Sequence, residues 1–300
     1  MNQLEESTQL WHNTSALKEK LREEGYLLFR EILDLELIRE VRNRILDLLW
    51  DQDWIDKDFP RAAAKCKADV PIPSHDPRFV RLHTAILSLE EFHRVPFDKS
   101  AIELIERLLD DEVIVHPRRM ARVVVPSTRW RTVPVHQDYT YVGGSVNFLS
   151  AWIPLKDVPI EQGALRILTR SHTDGLHETT DNGKEKGFLD IPEDHPGWLV
   201  TDYKLGDIII FPPTTIHGAT DNHSDSIRLS MDVRYQGIRE PILKWQTQPP
   251  YQPYLPLDWS LYTNGWANSR LVALDERCNV VDSEETVPVR LPISYKSKFF

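Results

Sequence analysis

The stretch Ser226-Ile-Arg-Leu-Ser-Met-Asp-Val-Arg-Tyr235 alternates without a break. Ile227, Leu229, Met231 and Val233 fall on one face of a strand, and Arg228, Ser230, Asp232 and Arg234 on the other. A polar row on a strand otherwise suited to a core makes sense if that row lines a cavity. The apolar row then packs outward against helices.

Working outward, short β-rich runs alternate with Pro, Gly and Asp from about residue 112 onward. They cover 112–116, 119–125, 133–141, 147–155, 164–169, 207–212 and 226–236. Many short strands with turn signals predict a sandwich or barrel of antiparallel strands. Residues 173–197, rich in Gly, Asp and His, read as a long loop within the strand series. Upstream, Thr14-Ser15 reads as the cap of a helix through Ala16–Glu24 that Gly25 stops. Tyr26–Phe29 reads as a short strand. Leu35, Ile38, Val41, Ile45, Leu48 and Leu49 recur at helical spacing over 34–50. Pro60, Pro71, Pro73 and Pro77 are expected to break any long element in 51–80, and a further helix is expected over Ser100–Leu109. The segment from 240 to 266 is heavy in Pro, Trp and Tyr. Its reading stays open between a cover for the site, a homodimer face and a packed tail.

At 300 residues, two domains or one large β-barrel domain both fit. The reading adopted is one domain over 1–300, with a helix-rich part at about 14–110, a β core at about 112–238 and an extension at 239–300. Net charge is −10 and the pI about 5.6, so no overall basic field is present to displace counterions from nucleic acid. The local basic cluster from His116 to Arg122 reads as the solvated approach to a strand. Two cysteines, Cys66 and Cys278, lack metal-type spacing and are too few for a disulfide framework, which points to a reduced, cytoplasmic setting. The polar, acidic start has no apolar signal core, and no apolar run reaches the ~20 residues that span a bilayer.

Val133-Pro-Val-His-Gln-Asp138 places His136 and Asp138 two apart on an expected strand. Their side chains then share a face, and Gln137 takes the other. His217 is the best third ligand, after the strand Leu205-Gly-Asp-Ile-Ile-Ile-Phe211 and Pro212-Pro213. Two histidines and a carboxylate on one face of a metal leave open positions, the arrangement of non-haem iron(II) oxygenases. Arg228 adds a planar fork that can pair bidentately with a carboxylate. A second His-x-Asp, His172-Thr-Asp174, is rejected because too little chain, much of it loop, separates it from His217. The plain alternative for His136 and Asp138 is a pair bonded within a turn. For Arg228 it is a surface ion pair with Asp232, and for Trp152 a core tryptophan.

These residues resemble the phytanoyl-CoA dioxygenase family of iron(II)- and 2-oxoglutarate-dependent oxygenases, over roughly 16–238. The resemblance rests on Leu21–Phe29, Pro134-Val-His-Gln-Asp138, Ala151-Trp-Ile-Pro-Leu155, Glu161-Gln-Gly-Ala-Leu165 leading to Ser171-His172, Gly206-Asp207, His217 and Arg228. It implies a mainly β (α+β) fold: a double-stranded β-helix, jelly-roll or cupin-like, with N-terminal helices packed outside. It implies iron(II) on His136, Asp138 and His217, with 2-oxoglutarate as cosubstrate and O2 as oxidant. Arg228 would anchor the far carboxylate of 2-oxoglutarate, Trp152 would line that pocket, and Arg122 is a further candidate there. His172 matches a loop position and need not be a ligand. Where the family often has serine two residues after the distal histidine, this chain has Ala219, which puts one cosubstrate contact in doubt. Asp138 stands where halogenating relatives carry a small residue, which argues for hydroxylation of a small molecule's aliphatic C–H. A cupin-like isomerase and a non-catalytic metal-binding barrel are the alternatives. A Gly-x-Ser-x-Gly elbow, a Gly-x-Gly fingerprint and a phosphate loop are all absent. Trp130, Arg131, Tyr139 and Tyr141 flank the motif and read as rim packing or substrate contacts.

Overall fold

The computed structural model describes residues 2–70, 76–126, 133–181, 186–251 and 255–282. Five helices lie in the first 110 residues: α1 (Thr14–Glu24), α2 (Leu35–Asp51), α3 (Pro77–Leu87), α4 (Glu90–Arg94) and α5 (Lys99–Leu109). The cap of α1 is Asn13, one residue before the expected Thr14-Ser15; its Oδ1 accepts from Ala16 N at 3.0 Å. Gly25 ends α1 at φ 76°, a conformation in which a Cβ would also strike the His172 ring. Pro77 starts a helix instead of breaking one: at the first helical position its missing N–H costs nothing, and Asp76 caps the turn.

The strands are β1 (Asn2–Gln3), β2 (Leu27–Phe29), β3 (Val113–Val115), β4 (Met120–Val124), β5 (Phe148–Pro154), β6 (Leu165–Leu168), β7 (Thr180–Asp181), β8 (Lys186–Phe188), β9 (Trp198–Val200), β10 (Ile208–Phe211), β11 (His217–Ala219), β12 (Arg228–Gly237), β13 (Ile242–Leu243) and β14 (Val280–Val281). Two sheets face each other. The larger runs β2-β10-β5-β12-β3, with β4 also on β12, and the smaller runs β1-β9-β6-β11. Apart from the parallel β1–β9 pair, both are antiparallel, the layout expected of a double-stranded β-helix.

The alternation of β12 sets the layers. Ile227, Leu229, Met231 and Val233 join one large core with the helices, including Ile38, Val41 and Ile45 of α2 and Leu104 and Ile105 of α5. The opposite face of β12 looks between the sheets. There Trp152, Ile209 and Phe211 of the larger sheet meet Leu165, Ile167 and Val200 of the smaller. Among the described residues, no helix is long and apolar enough to cross a membrane.

Several local expectations change. Residues 133–141 are not a strand: one bridge at His136 is followed by a turn and the short helix α6 (Tyr139–Val142). The 173–197 loop contains β7 and β8 and ends at β9, which periodicity over three residues does not reveal. The basic cluster is not a solvated approach. His116 and Arg119 are fully buried, and Arg119 donates to His93 Nδ1 at 2.9 Å and to the Leu271 carbonyl at 2.7 Å. That pin seats the C-terminal segment on α4, where Trp259 and Trp266 pack around the His93 ring and Trp266 Nε1 donates to Ser88 O. Of the readings for the aromatic segment, this part is a packed tail. Trp130 and Arg131 lie outside the described residues.

Two buried histidines are expected to weaken the fold in acid. Burial depresses His83 and His116 to a pKa of about 4, against 6.5 ordinarily. Between those values the unfolded chain takes up protons that the folded chain refuses, so stability falls as pH drops through that window. Each histidine should withdraw about 2 kcal/mol by pH 5. Urea midpoints are expected to fall between pH 7 and pH 5, and less steeply in His83→Gln; identical slopes would contradict the assignment.

Candidate functional site

The two candidate ligand histidines face each other across a β-bridge. His136 N donates to His217 O at 2.9 Å, and His217 N donates back to His136 O at 3.0 Å. β11 holds His217 against Ile167 on its other side. The main chain therefore brings the imidazoles together, with ring centroids 4.2 Å apart.

Each ring is then oriented by a carbonyl. Nδ1 of His136 donates to Pro134 O at 2.8 Å, and Nδ1 of His217 to Thr215 O at 3.0 Å. A carbonyl only accepts, so both Nδ1 atoms carry hydrogen, which leaves Nε2 as the nitrogen each ring can offer to a metal. Asp138 follows the bridge at the start of α6. Its Oδ1 lies 3.5 Å from His136 Nε2 and 3.9 Å from His217 Nε2, and the three ligand atoms fall within 4.8 Å of one another. Metal–nitrogen bonds of ~2.1 Å put adjacent ligands roughly 3 Å apart, so small adjustments close this cluster on an ion.

Two further groups fix the carboxylate. Ser150 Oγ donates to Oδ2, and an Arg234 Nη donates to Oδ1 at 2.8 Å. Burial alone would raise the Asp138 pKa, but the Arg234 charge beside it holds it well below the usual carboxylate range. Burial, with the neighbouring His136, lowers His217 to about 4, so its imidazole is neutral at physiological pH. Ionised carboxylate and neutral imidazoles are the protonation states a metal needs.

Gln137 points away from the cluster. Its Nε2 donates to Gly175 O and Thr214 O, and its Oε1 accepts from His177 N at 2.8 Å. The residue between the ligands thereby ties the 173–197 segment to the turn before His217. The face-sharing predicted for His136 and Asp138 holds, although the strand that was to produce it is absent.

The same cavity contains Arg228, Trp152 and Arg122. Arg228 is buried, donating to Gly163 O at 3.1 Å and to Ser230 Oγ. It makes no ion pair with Asp232; that carboxylate takes Arg122 instead, at 2.6 Å. Trp152 lies 5.7 Å from the Arg228 guanidinium and packs on Tyr203 at 4.7 Å. It is at once a core residue and a wall of the cavity. Val133, Leu165, Phe211 and Ala219 complete the apolar lining. His172 is elsewhere, its Nε2 at the Arg22 carbonyl. Ser150 and Arg234 were given no role in the sequence reading. Arg234 belonged to the inward row of β12, and Ser150 is an isolated hydroxyl in an apolar strand, so both carried a signal.

Residues 21–230 match the phytanoyl-CoA dioxygenase (PhyH) family. The chain belongs to that family. Among curated relatives of this phytanoyl-CoA dioxygenase family member, the 1-deoxypentalenic acid 11-beta-hydroxylase of Streptomyces exfoliatus is 27% identical over 250 residues, covering 76% of this chain and 83% of the relative. Among solved structures, the epimerase SnoN in complex with Fe3+, alpha ketoglutarate and nogalamycin RO shares the fold at a TM-score of 0.56. It is 19% identical and covers 82% of this chain and 94% of its own. Apo EctD from S. alaskensis aligns at a TM-score of 0.53 and 17% identity, covering 89% and 88%. The family and the His-Asp-His cluster make this chain a non-haem iron(II)- and 2-oxoglutarate-dependent oxygenase, and neither the cupin-like isomerase nor the non-catalytic barrel is favoured.

Proposed function

We propose that His136, Asp138 and His217 hold iron(II), that Arg228 pairs with the far carboxylate of 2-oxoglutarate, and that Trp152 and Arg122 line the cosubstrate's pocket. The reaction is hydroxylation of an aliphatic C–H in a small molecule, whether secondary metabolite, acyl compound or amino-acid-like solute. One observation carries this reading: two imidazoles with inward Nε2 lone pairs and an ionised carboxylate converge in a cavity that also contains a buried arginine. Bound iron(II) supplies oxygen activation coupled to decarboxylation of 2-oxoglutarate to succinate.

The remaining work falls to the chain. The Pro134 and Thr215 carbonyls aim the imidazoles, and Ser150 and Arg234 hold Asp138 ionised. Arg228, braced by Gly163 O and Ser230 Oγ, offers its guanidinium without having to reorganise. The Arg122–Asp232 pair fills the wall with nearly balanced charge. Leu165, Phe211 and Trp152 keep water from the reacting centre. Residues 1–300 act as one catalytic unit, a reading supported by the helices on the larger sheet and the tail returning to α4. A cytoplasmic setting is supported by the cysteine usage.

Anaerobic addition of iron(II) and 2-oxoglutarate is expected to give a weak visible charge-transfer band, with slow succinate formation once oxygen enters. A protein that binds both without a band sinks the proposal.

A further inference from the structure

The inward row of β12 has two cationic ends. Arg228 stands at one, and Arg234 lies six residues on, roughly 20 Å along the strand. One Arg234 Nη is used on Asp138. Its Nε is buried with no hydrogen-bond partner, a standing cost that an incoming acceptor would remove.

A second guanidinium, that of Arg118, lies close enough to feel the Arg234 charge. His116 N donates to the Arg234 carbonyl at 2.9 Å, which brings Arg118, two residues on, to the same end of the row. Arg118 is half-buried and lies over the Trp245 ring at 4.8 Å, with its Nε donating to the Trp245 carbonyl. No carboxylate among the described residues pairs with it. Burial and the nearby Arg234 charge lower its pKa to about 10.

Charge counting shows what is missing. Around the cavity, Arg122, Arg228 and Arg234 face Asp138 and Asp232. Iron(II) brings two positive charges and 2-oxoglutarate two negative ones. The loaded site therefore keeps an excess positive charge, and Arg118 adds another. An aromatic wall continues from this point: Gln246, next to Trp245, donates to the Tyr141 carbonyl, Tyr141 stands edge-on to His136 at 5.5 Å, and Phe188 lies 6.2 Å from Tyr141.

We propose that the substrate is a carboxylate whose anionic group docks between Arg118 and Arg234 while its apolar body lies along Tyr141 and Phe188 toward the metal. This rests on the reading of the triad as iron ligands and of Arg228 as the cosubstrate anchor. The carboxylate offsets one of these two excess positive charges, and the two guanidiniums supply donors in a partly desolvated setting.

The test is calorimetric titration of the anaerobic iron(II)–2-oxoglutarate holoenzyme with matched acid and amide probes: hexanoate and hexanamide, cyclohexanecarboxylate and its amide, 1-naphthoate and 1-naphthamide. At least one acid is expected to bind about 10-fold or more tightly than its amide. Arg118→Gln should bring that ratio close to one, Arg118→Lys should retain part of it, and both should keep the charge-transfer band. No preference for the acid in any pair, or a preference that survives both Arg118→Gln and Arg234→Gln, overturns the proposal. A wild-type protein without the band would instead strike the metal and cosubstrate reading.

Discussion

His217→Ala is expected to lose iron(II) affinity by more than ~100-fold, beyond the ~10–100-fold typical of losing an outer hydrogen-bond partner. The reason is geometric. His217 supplies one of three ligand atoms, and among the described residues no other group of His, Cys, Asp or Glu could replace the cluster. The fold should survive, because the bond pair with His136 runs through main-chain atoms that alanine keeps. Thermal melts separate the two effects. Iron(II) at 100 times the wild-type dissociation constant should stabilise the wild type by ~2.7 kcal/mol and a variant 100-fold weaker by at most ~0.4 kcal/mol. A variant that still shows the charge-transfer band, or an iron-dependent rise in melting temperature as large as the wild type's, would remove His217 from the ligand set.

Arg228→Ala should separate cosubstrate from metal. Removing one partner of a buried, hydrogen-bonded charge pair costs ~2–5 kcal/mol, or ~30- to several-thousand-fold in affinity. That loss should fall on 2-oxoglutarate, with iron(II) affinity nearly unchanged. The variant also leaves the Gly163 carbonyl without its Arg228 donor, so stability should drop modestly as well. Binding must therefore be read by titration and not inferred from turnover. Arg228→Lys is the informative companion. It restores charge but not the planar fork, and should recover only part of the affinity. Equal losses of iron and 2-oxoglutarate in Arg228→Ala would contradict the anchor role.

The large-scale organisation was legible because it depends on periodicity. β12 alternates over ten residues, and both its faces do what the pattern predicts, one meeting helices and the other a cavity. α2 and α5 were readable for the same reason. The candidate cluster was legible for a different one: few residue sets in this chain combine two imidazoles, a carboxylate and an inward arginine. Periodicity fails below about four residues, which is why β9 and the bridge at His136 were missed or mistaken. It also cannot see long-range partners. That Asp232 takes Arg122 and not Arg228 follows from the pairing of Ser230 with Arg122 across β4 and β12, a register that only the folded chain sets. Arg119 looked like surface charge because its acceptors, His93 and Leu271, are remote in sequence.

The bridge between His136 and His217 has a consequence for how this barrel can change. Its two hydrogen bonds belong to the backbone, so the spacing of the two positions does not depend on which side chains occupy them. Substitution at either position is charged to metal affinity while sheet pairing is spared. Asp138 lacks that independence, because its loss would strand the buried Arg234 charge. The centre is thus modular at two corners and committed at the third: selection or engineering can vary the histidines cheaply, but the carboxylate only together with its arginine.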